Sequence, residues 1–164
     1  IVCGTWCGGV VDILTRDQAL RSERCGTYVQ LKAIVTRTPS PVRDQRSTAT
    51  VSDRIADITN DPEISVVVHL VGGTTAAKTL LEACLRAGKH VGTANHAVIA
   101  MHGDELFALA AKHGVGIAFE AAVAGGIPVI AALRDGLVAN HIQSIAGILN
   151  GTCNFILPKM EQEA

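Results

Sequence analysis

Apolar positions along this chain follow two rhythms in turn, and glycines mark most of the switches between them. Ile1 to Cys3 is the stub of an apolar strand. Val10, Val11, Ile13, Leu14 and Leu20 then recur at helical spacing. Val29 to Val35 alternates as a half-buried strand does, and the polar stretch Thr36 to Ser52, with Pro39 and Pro41, reads as a loop. Ser65 to Val71 is a nearly unbroken β-branched run, the pattern of a strand buried on both faces. Thr75 to Ala87 is helical, with Gly88 placed to end it. His90 to Thr93 reads as a short strand. Leu106 to His113 belongs to a further helix closed by Gly114, and Val115 to Phe119 is again a strand.

Strand alternating with helix predicts an α/β fold, a doubly wound parallel sheet of Rossmann-like arrangement. The pattern changes after Gly126. Pro128 suits the first turn of a helix continuing through Ile130, Leu133, Arg134 and Leu137. His141 to Leu149 reads as a strand, and Thr152 onward as a helix cut by the chain end. The expected division is the doubly wound unit over 1–125 and the beginning of a second unit over 126–164. Both ends read as cut: Ile1 already lies in a strand, and the last residues carry no helix stop.

Composition narrows the class. Of 164 residues, 48% are hydrophobic and only 3% aromatic, so the core must be built from Ala, Val, Leu and Ile. A net charge of −1 gives no electrostatic reason to expect nucleic acid or an anionic membrane as partner. No apolar run approaches the ~20 residues of a membrane span, and nothing at the start reads as a secretory signal. The five cysteines (Cys3, Cys7, Cys25, Cys84 and Cys153) are odd in number and scattered. That argues against a disulfide framework or a zinc site and for reduced thiols, hence a cytoplasmic setting, or a plastid in a plant.

Three places carry candidate chemistry. Gly4, Thr5, Trp6, Cys7, Gly8 and Gly9 stand between the first strand and the first helix, where a dinucleotide-binding turn lays pyrophosphate on a helix N-terminus. An ordinary strand-to-helix turn would have the same place. Beyond the second strand stands Arg37, with no acid to take a ribose 2′-hydroxyl; it is either a partner for a 2′-phosphate or a solvated charge. Val71, Gly72 and Gly73 follow the third strand at its carboxyl end, where open α/β sheets bind ligands. They form either a cofactor-facing loop or a plain flexible turn.

The runs Gly88-Lys89-His90-Val91-Gly92-Thr93-Ala94-Asn95-His96-Ala97, Phe119-Glu120-Ala121-Ala122-Val123-Ala124-Gly125-Gly126-Ile127-Pro128 and Gly147-Ile148-Leu149-Asn150-Gly151-Thr152-Cys153-Asn154-Phe155-Ile156-Leu157 resemble homoserine dehydrogenase. The resemblance covers nearly the whole chain. It implies an NAD(P)-dependent oxidoreductase that interconverts L-homoserine and L-aspartate 4-semialdehyde in threonine and methionine biosynthesis. It implies NADP as cofactor, with NAD possible, and a homodimer for the full-length protein. It makes 1–125 a nucleotide-binding unit, and the unit from residue 126 would then open the α+β catalytic and dimerisation domain.

The resemblance implies cofactor contacts at Gly4, Thr5, Trp6, Arg37, Val71, Gly72, Gly73, Thr93, Asn95, His96, Gly151 and Thr152. It also implies a monovalent cation, sodium, at Glu120, Val123, Gly125 and Ile127, although Glu120 can equally cap the helix near Pro128. Asn150 and Thr152 can likewise serve as helix caps. Four departures stand out. Val2 and Cys7 occupy glycine positions of the family's turn, Trp6 replaces a valine, and His96 replaces the lysine of the T-A-N-K-A run. The family's D-P-x-x-D-x-x-G-x-D-x-x-x-K run, which holds its catalytic lysine, has no counterpart before Ala164, so no catalytic acid or base is assigned. The competing readings are a degenerate, non-catalytic nucleotide-binding protein and another NADP-dependent oxidoreductase of the same fold.

Overall fold

A computed structural model describes residues 1–2, 7–16, 18–37, 48–148 and 151–163. Among the described residues are five strands: β1 (Ala33–Val35), β2 (Thr50–Ser52), β3 (Val66–His69), β4 (His90–Thr93) and β5 (Ile117–Ala118), with helices before β1 and between β2 and β3, β3 and β4, and β4 and β5. All pairings are parallel, β1 with β2, β3 with β4, and β4 with β5. The two groups are joined through Val2, which bridges Val35 on one side and His69 on the other. Val2 N–H donates to Val68 at 2.9 Å, and Val2 accepts from Leu70 N–H at 2.9 Å. The order across the sheet is therefore β2, β1, the Val2 segment, β3, β4, β5. Counted in chain order this is 3-2-1-4-5-6, the doubly wound dinucleotide-binding arrangement, as the alternating pattern predicts.

Pleating sends successive side chains to opposite faces, and each face finds its own cover. On one side, Val35, Val67, Val91 and Ile117 pack with Ala77, Leu81, Cys84 and Leu85 of α4 (Thr75–Arg86) and with Val98, Leu106 and Ala110 of α5 (His96–Lys112). Ile58 of the short helix α3 (Ala56–Thr59) joins them. On the other side, Ile1 and Ile34 bury against Val11 of α1 (Cys7–Arg16). Each such aliphatic side chain contributes about 1.5–3 kcal/mol when fully buried, so a core with almost no aromatics suffices. Cys84 lies in this core, and burial pushes its thiol up to about 11, which makes it inert at neutral pH. Cys25 is exposed and Cys84 buried.

Several element boundaries differ from expectation. The helical pattern over Val10–Leu20 is two helices, α1 and α2 (Gln18–Cys25). The expected strand Val29–Val35 shortens to β1, and the expected loop Thr36–Ser52 ends in a strand, β2. That strand sits at the sheet edge, where one apolar residue, Val51, is enough to hold it against Ile34. The helix expected from Pro128 is one turn, α6 (Val129–Ala131), which widens into a π-turn over Ala132–Gly136. The expected strand His141–Leu149 is not a strand: residues 141–148 are exposed and have no regular structure. These residues pair with none of the described strands, and an extended segment without a partner strand is not stable as one. Leu149 lies outside the described residues. The last helix, α7 (Gly151–Glu163), forms as expected and carries Phe155, Leu157 and Met160 exposed to solvent.

Candidate functional site

Because every strand is parallel, their carboxyl ends share one edge. The order reverses between the Val2 segment and β3, so a crevice opens there. The residues bordering it come from the turns after each strand. After Val2, Gly4, Thr5 and Trp6 lie outside the described residues; α1 begins at Cys7 with Gly8 and Gly9 in its first turn. After β1, Arg37 is exposed at the same edge.

After β3, Val71 is half-buried and Gly72 and Gly73 are exposed. Gly73 has φ +78°, a left-handed conformation that a side chain disfavours. Gly72 has no such backbone reason, and a side chain at either position would meet no protein atom within 4 Å. The room above this loop is open, and a glycine pair there lets a ligand approach the backbone.

The loop after β4 is tied to this one by Asn95. Its side-chain Nδ2 donates to the carbonyls of Val71 at 2.9 Å and Gly73 at 2.6 Å. Its Oδ1 accepts from Val98 N–H at 3.0 Å, which caps the N-terminus of α5. Both amide hydrogens and one carbonyl lone pair are thus committed within the protein. Asn95 N–H donates to Thr93 Oγ1 at 3.1 Å, and Thr93 Oγ1 lies 3.1 Å from His69 Nδ1. Thr93, Asn95 and His69 are all buried, whereas His96 is exposed at the first position of α5. The structure therefore brings together Val71, Gly73, Thr93 and Asn95. Gly73 and His96 are exposed at this edge, Val71 packs partly against the core, and Thr93 and Asn95 are buried.

The sequence motifs do not single out His69, yet it is linked to this edge. The signal was present: a polar residue ending the run Val66-Val67-Val68 must find a partner once buried. Burial lowers its pKa from 6.5 to about 4, so the imidazole is neutral.

Glu120 opens a 3-10 turn (Glu120–Ala122) just past β5. Its two carboxylate oxygens accept from Ile130 N–H at 2.9 Å and Ala131 N–H at 2.8 Å. It fastens the start of α6 to the end of the sheet, the capping alternative raised for it above. Between them the chain turns through Ala124 and Gly125, both left-handed at φ 55° and 60°. The Ile127 carbonyl is already engaged by Val129 N–H at 2.8 Å. Gly151 and Thr152 are exposed at the start of α7, and among the described residues no hydrogen bond connects them with the Val71–Gly73 or Thr93–His96 loops.

A hollow of about 260 Å³ lies elsewhere, lined by Val66, Val68, His90, Gly116, Ile117 and Arg134 among others. It reaches the amino ends of β3 and β4, the wrong edge for a ligand of an open α/β sheet, so it is not the candidate site.

The comparisons with known proteins agree with this geometry. The family model described as "Homoserine dehydrogenase, NAD binding domain" matches residues 3–120. The chain belongs to the homoserine dehydrogenase family. A second model of that family, "Homoserine dehydrogenase", matches residues 128–164. The homoserine dehydrogenase of Pseudomonas aeruginosa is 49% identical over 160 residues, which cover 98% of this chain and 37% of that protein. That of Neisseria gonorrhoeae is 41% identical over the same length and shares. The crystal structure of a homoserine dehydrogenase from Thiobacillus denitrificans superposes with a TM-score of 0.86 at 40% identity, covering 98% of this chain and 38% of that one. The chain thus spans a little over a third of the length of the curated relatives it matches. The Rossmann-like NAD(P)-binding fold expected from the motifs is the family's, and the two model matches meet around the Glu120–Pro128 turn.

Proposed function

We propose that the whole protein interconverts L-homoserine and L-aspartate 4-semialdehyde, on the route to threonine and methionine, and that residues 1–125 are its nucleotide-binding unit. Residues 126–164 then begin the unit that holds substrate. The observation that carries this reading is the pair of crevice loops, Val71–Gly73 and Thr93–His96, stapled by Asn95 at the sheet's switch point. The nicotinamide nucleotide supplies and accepts the hydride when bound. The protein's part is to hold it. Gly72 and Gly73 clear the space for it, Asn95 and Thr93 keep the two loops in register, and His96 stands where the substrate would meet it. No general acid or base is assigned within residues 1–164.

NADP is the proposed cofactor, with Arg37 pairing to the 2′-phosphate. A charge-assisted hydrogen bond is worth about 1.5–3 kcal/mol, or about 10- to 150-fold in affinity. NADPH should therefore bind more tightly than NADH by a factor in that range, and Arg37→Gln should bring the two together. Fluorescence titration with each nucleotide tests this. Equal affinities for the unaltered protein remove Arg37 from the site; binding of neither removes the nucleotide reading altogether.

A monovalent cation, sodium, beside Glu120 and the carbonyls of Val123, Gly125 and Ile127 belongs to the same proposal. The donor set is oxygen only, which suits a hard cation, and each Glu120 oxygen keeps a lone pair after accepting its N–H. The Ile127 carbonyl is shared with Val129 N–H in the same way. Cap and cation make different predictions. Glu120→Gln turns a donor toward one of the two N–H groups and should cost about 0.5–2 kcal/mol of stability, measured by urea unfolding. If the unaltered protein melts at the same temperature in sodium and in choline chloride, the cap stands and the cation does not.

No helix among the described residues is long and apolar enough to cross a membrane. A cytoplasmic homodimer is proposed for the full-length protein from its family alone.

A further inference from the structure

We propose that His69 is a positioning residue for the crevice: through Thr93 and Asn95 it fixes the Gly72-Gly73 loop against the start of α5. The proposal rests on the nucleotide-binding reading above for its consequence in affinity, but not for the loop itself.

The neighbours of His69 do not call for an imidazole. It follows Val67 on the face of β3 that packs against Ala77 and Leu81, and it is 1% exposed. An aliphatic side chain would be the simpler occupant. The polar choice acquires a purpose from the direction of the hydrogen bonds. Thr93 Oγ1 accepts the N–H of Asn95 at 3.1 Å. Thr93 Oγ1 also lies 3.1 Å from His69 Nδ1; in the tautomer we assign, the hydroxyl proton points to Nδ1 and the neutral ring carries its own proton on Nε2. Each group in the series is oriented by the one before it. His69 Nδ1 orients the Thr93 hydroxyl, the hydroxyl holds the Asn95 backbone, and the Asn95 amide holds the Val71 and Gly73 carbonyls.

Strand pairing places the first pair, since His69 and Thr93 are directly opposite in the β3–β4 register. Nε2 is buried and has no hydrogen-bond partner among the described residues. An unpaired buried N–H is unfavourable, so the ring lowers stability through one nitrogen while organising the crevice through the other.

This combination separates a positioning role from simple core filling. The intact protein carrying this sequence would be compared with His69→Leu, His69→Asn and Thr93→Val at pH 7. The measurements are urea unfolding, hydrogen exchange of the Asn95 and Val98 backbone amides, and NADPH titration. His69→Leu should match or exceed the unaltered protein in stability. Its Asn95 amide should nonetheless exchange about 2- to 12-fold faster, the worth of one hydrogen bond, and NADPH should bind more weakly by a similar factor.

His69→Asn can place an oxygen where Nδ1 stands and should restore both. The double variant His69→Leu with Thr93→Val should be no worse than Thr93→Val alone, because the pair acts as one unit. Unchanged exchange at Asn95 in a folded His69→Leu protein overturns the proposal. So does a loss of affinity that merely follows a loss of stability and is not restored by asparagine. If His69→Leu does not fold, Thr93→Val decides in its place, and unchanged exchange at Asn95 again overturns it. If the unaltered protein binds no NADPH, the nucleotide reading fails while Asn95 exchange still decides the loop.

Discussion

Asn95→Ala is expected to destabilise the protein by about 2–4 kcal/mol and to abolish measurable nucleotide binding. The magnitude follows from what the side chain does. An N-cap asparagine contributes roughly 1 kcal/mol, and each of its two hydrogen bonds to the Val71 and Gly73 carbonyls adds about 0.5–1.5 kcal/mol. These bonds, at 2.9 and 2.6 Å, are made in a buried setting, where groups left unpaired are costly. Asn95→Asp separates the two roles. A carboxylate still accepts from Val98 N–H and suits a helix N-terminus, but it has no hydrogens for the carbonyls of Val71 and Gly73 and is repelled by them. The aspartate variant should therefore keep α5 intact, seen as native exchange protection through Val98–Leu106, while losing nucleotide affinity as the alanine variant does. An aspartate variant that binds NADPH normally would show that the staple does not matter to the crevice.

The long-range plan of this fold is legible in the sequence because parallel strands buried on both faces announce themselves. Val66 to His69 and His90 to Thr93 stand where the β-branched runs put them, and α4 ends at the glycine that marks its stop: Gly88 is left-handed at φ 72°. What was not legible depends on partners distant in sequence. β2 has little apolar pattern of its own and exists because Ile34 offers it an edge. Residues 141–148 show the reverse, an apolar run that stays irregular and pairs with none of the described strands.

The site divides in the same way. Gly72, Gly73 and Asn95 could be singled out from their place after strands and from the family motifs. That Asn95 turns inward to hold the glycine loop could not, because its acceptors are backbone carbonyls more than twenty residues away. Glu120 offered two chemically reasonable roles in sequence, and only its distances to Ile130 and Ala131 show that it caps.

Acidification from pH 7 to pH 4 is expected to cost about 3 kcal/mol of folding stability through His69 alone. Burial lowers the pKa of this ring from its ordinary 6.5 to about 4, with no compensating charge among the causes. Between those two values the unfolded chain binds a proton at His69 and the folded protein does not. Stability therefore rises with pH across the window and falls as pH drops from 6.5 toward 4. Each pH unit within it is worth 1.36 kcal/mol, which gives the total. The carboxylates of Asp57, Asp61 and Asp135 are held below the usual carboxylate range by hydrogen bonds, from Ser52, Lys32 and Arg134 respectively, so their losses come at lower pH. His69→Leu removes the titrating group without emptying the site. Urea unfolding of both proteins at half-unit intervals from pH 7 to pH 4 should give curves that diverge below pH 6.5, with the leucine variant about 3 kcal/mol ahead at pH 4. Parallel curves would mean that the ring is solvated or paired in solution, and the buried relay through Thr93 would fall with it.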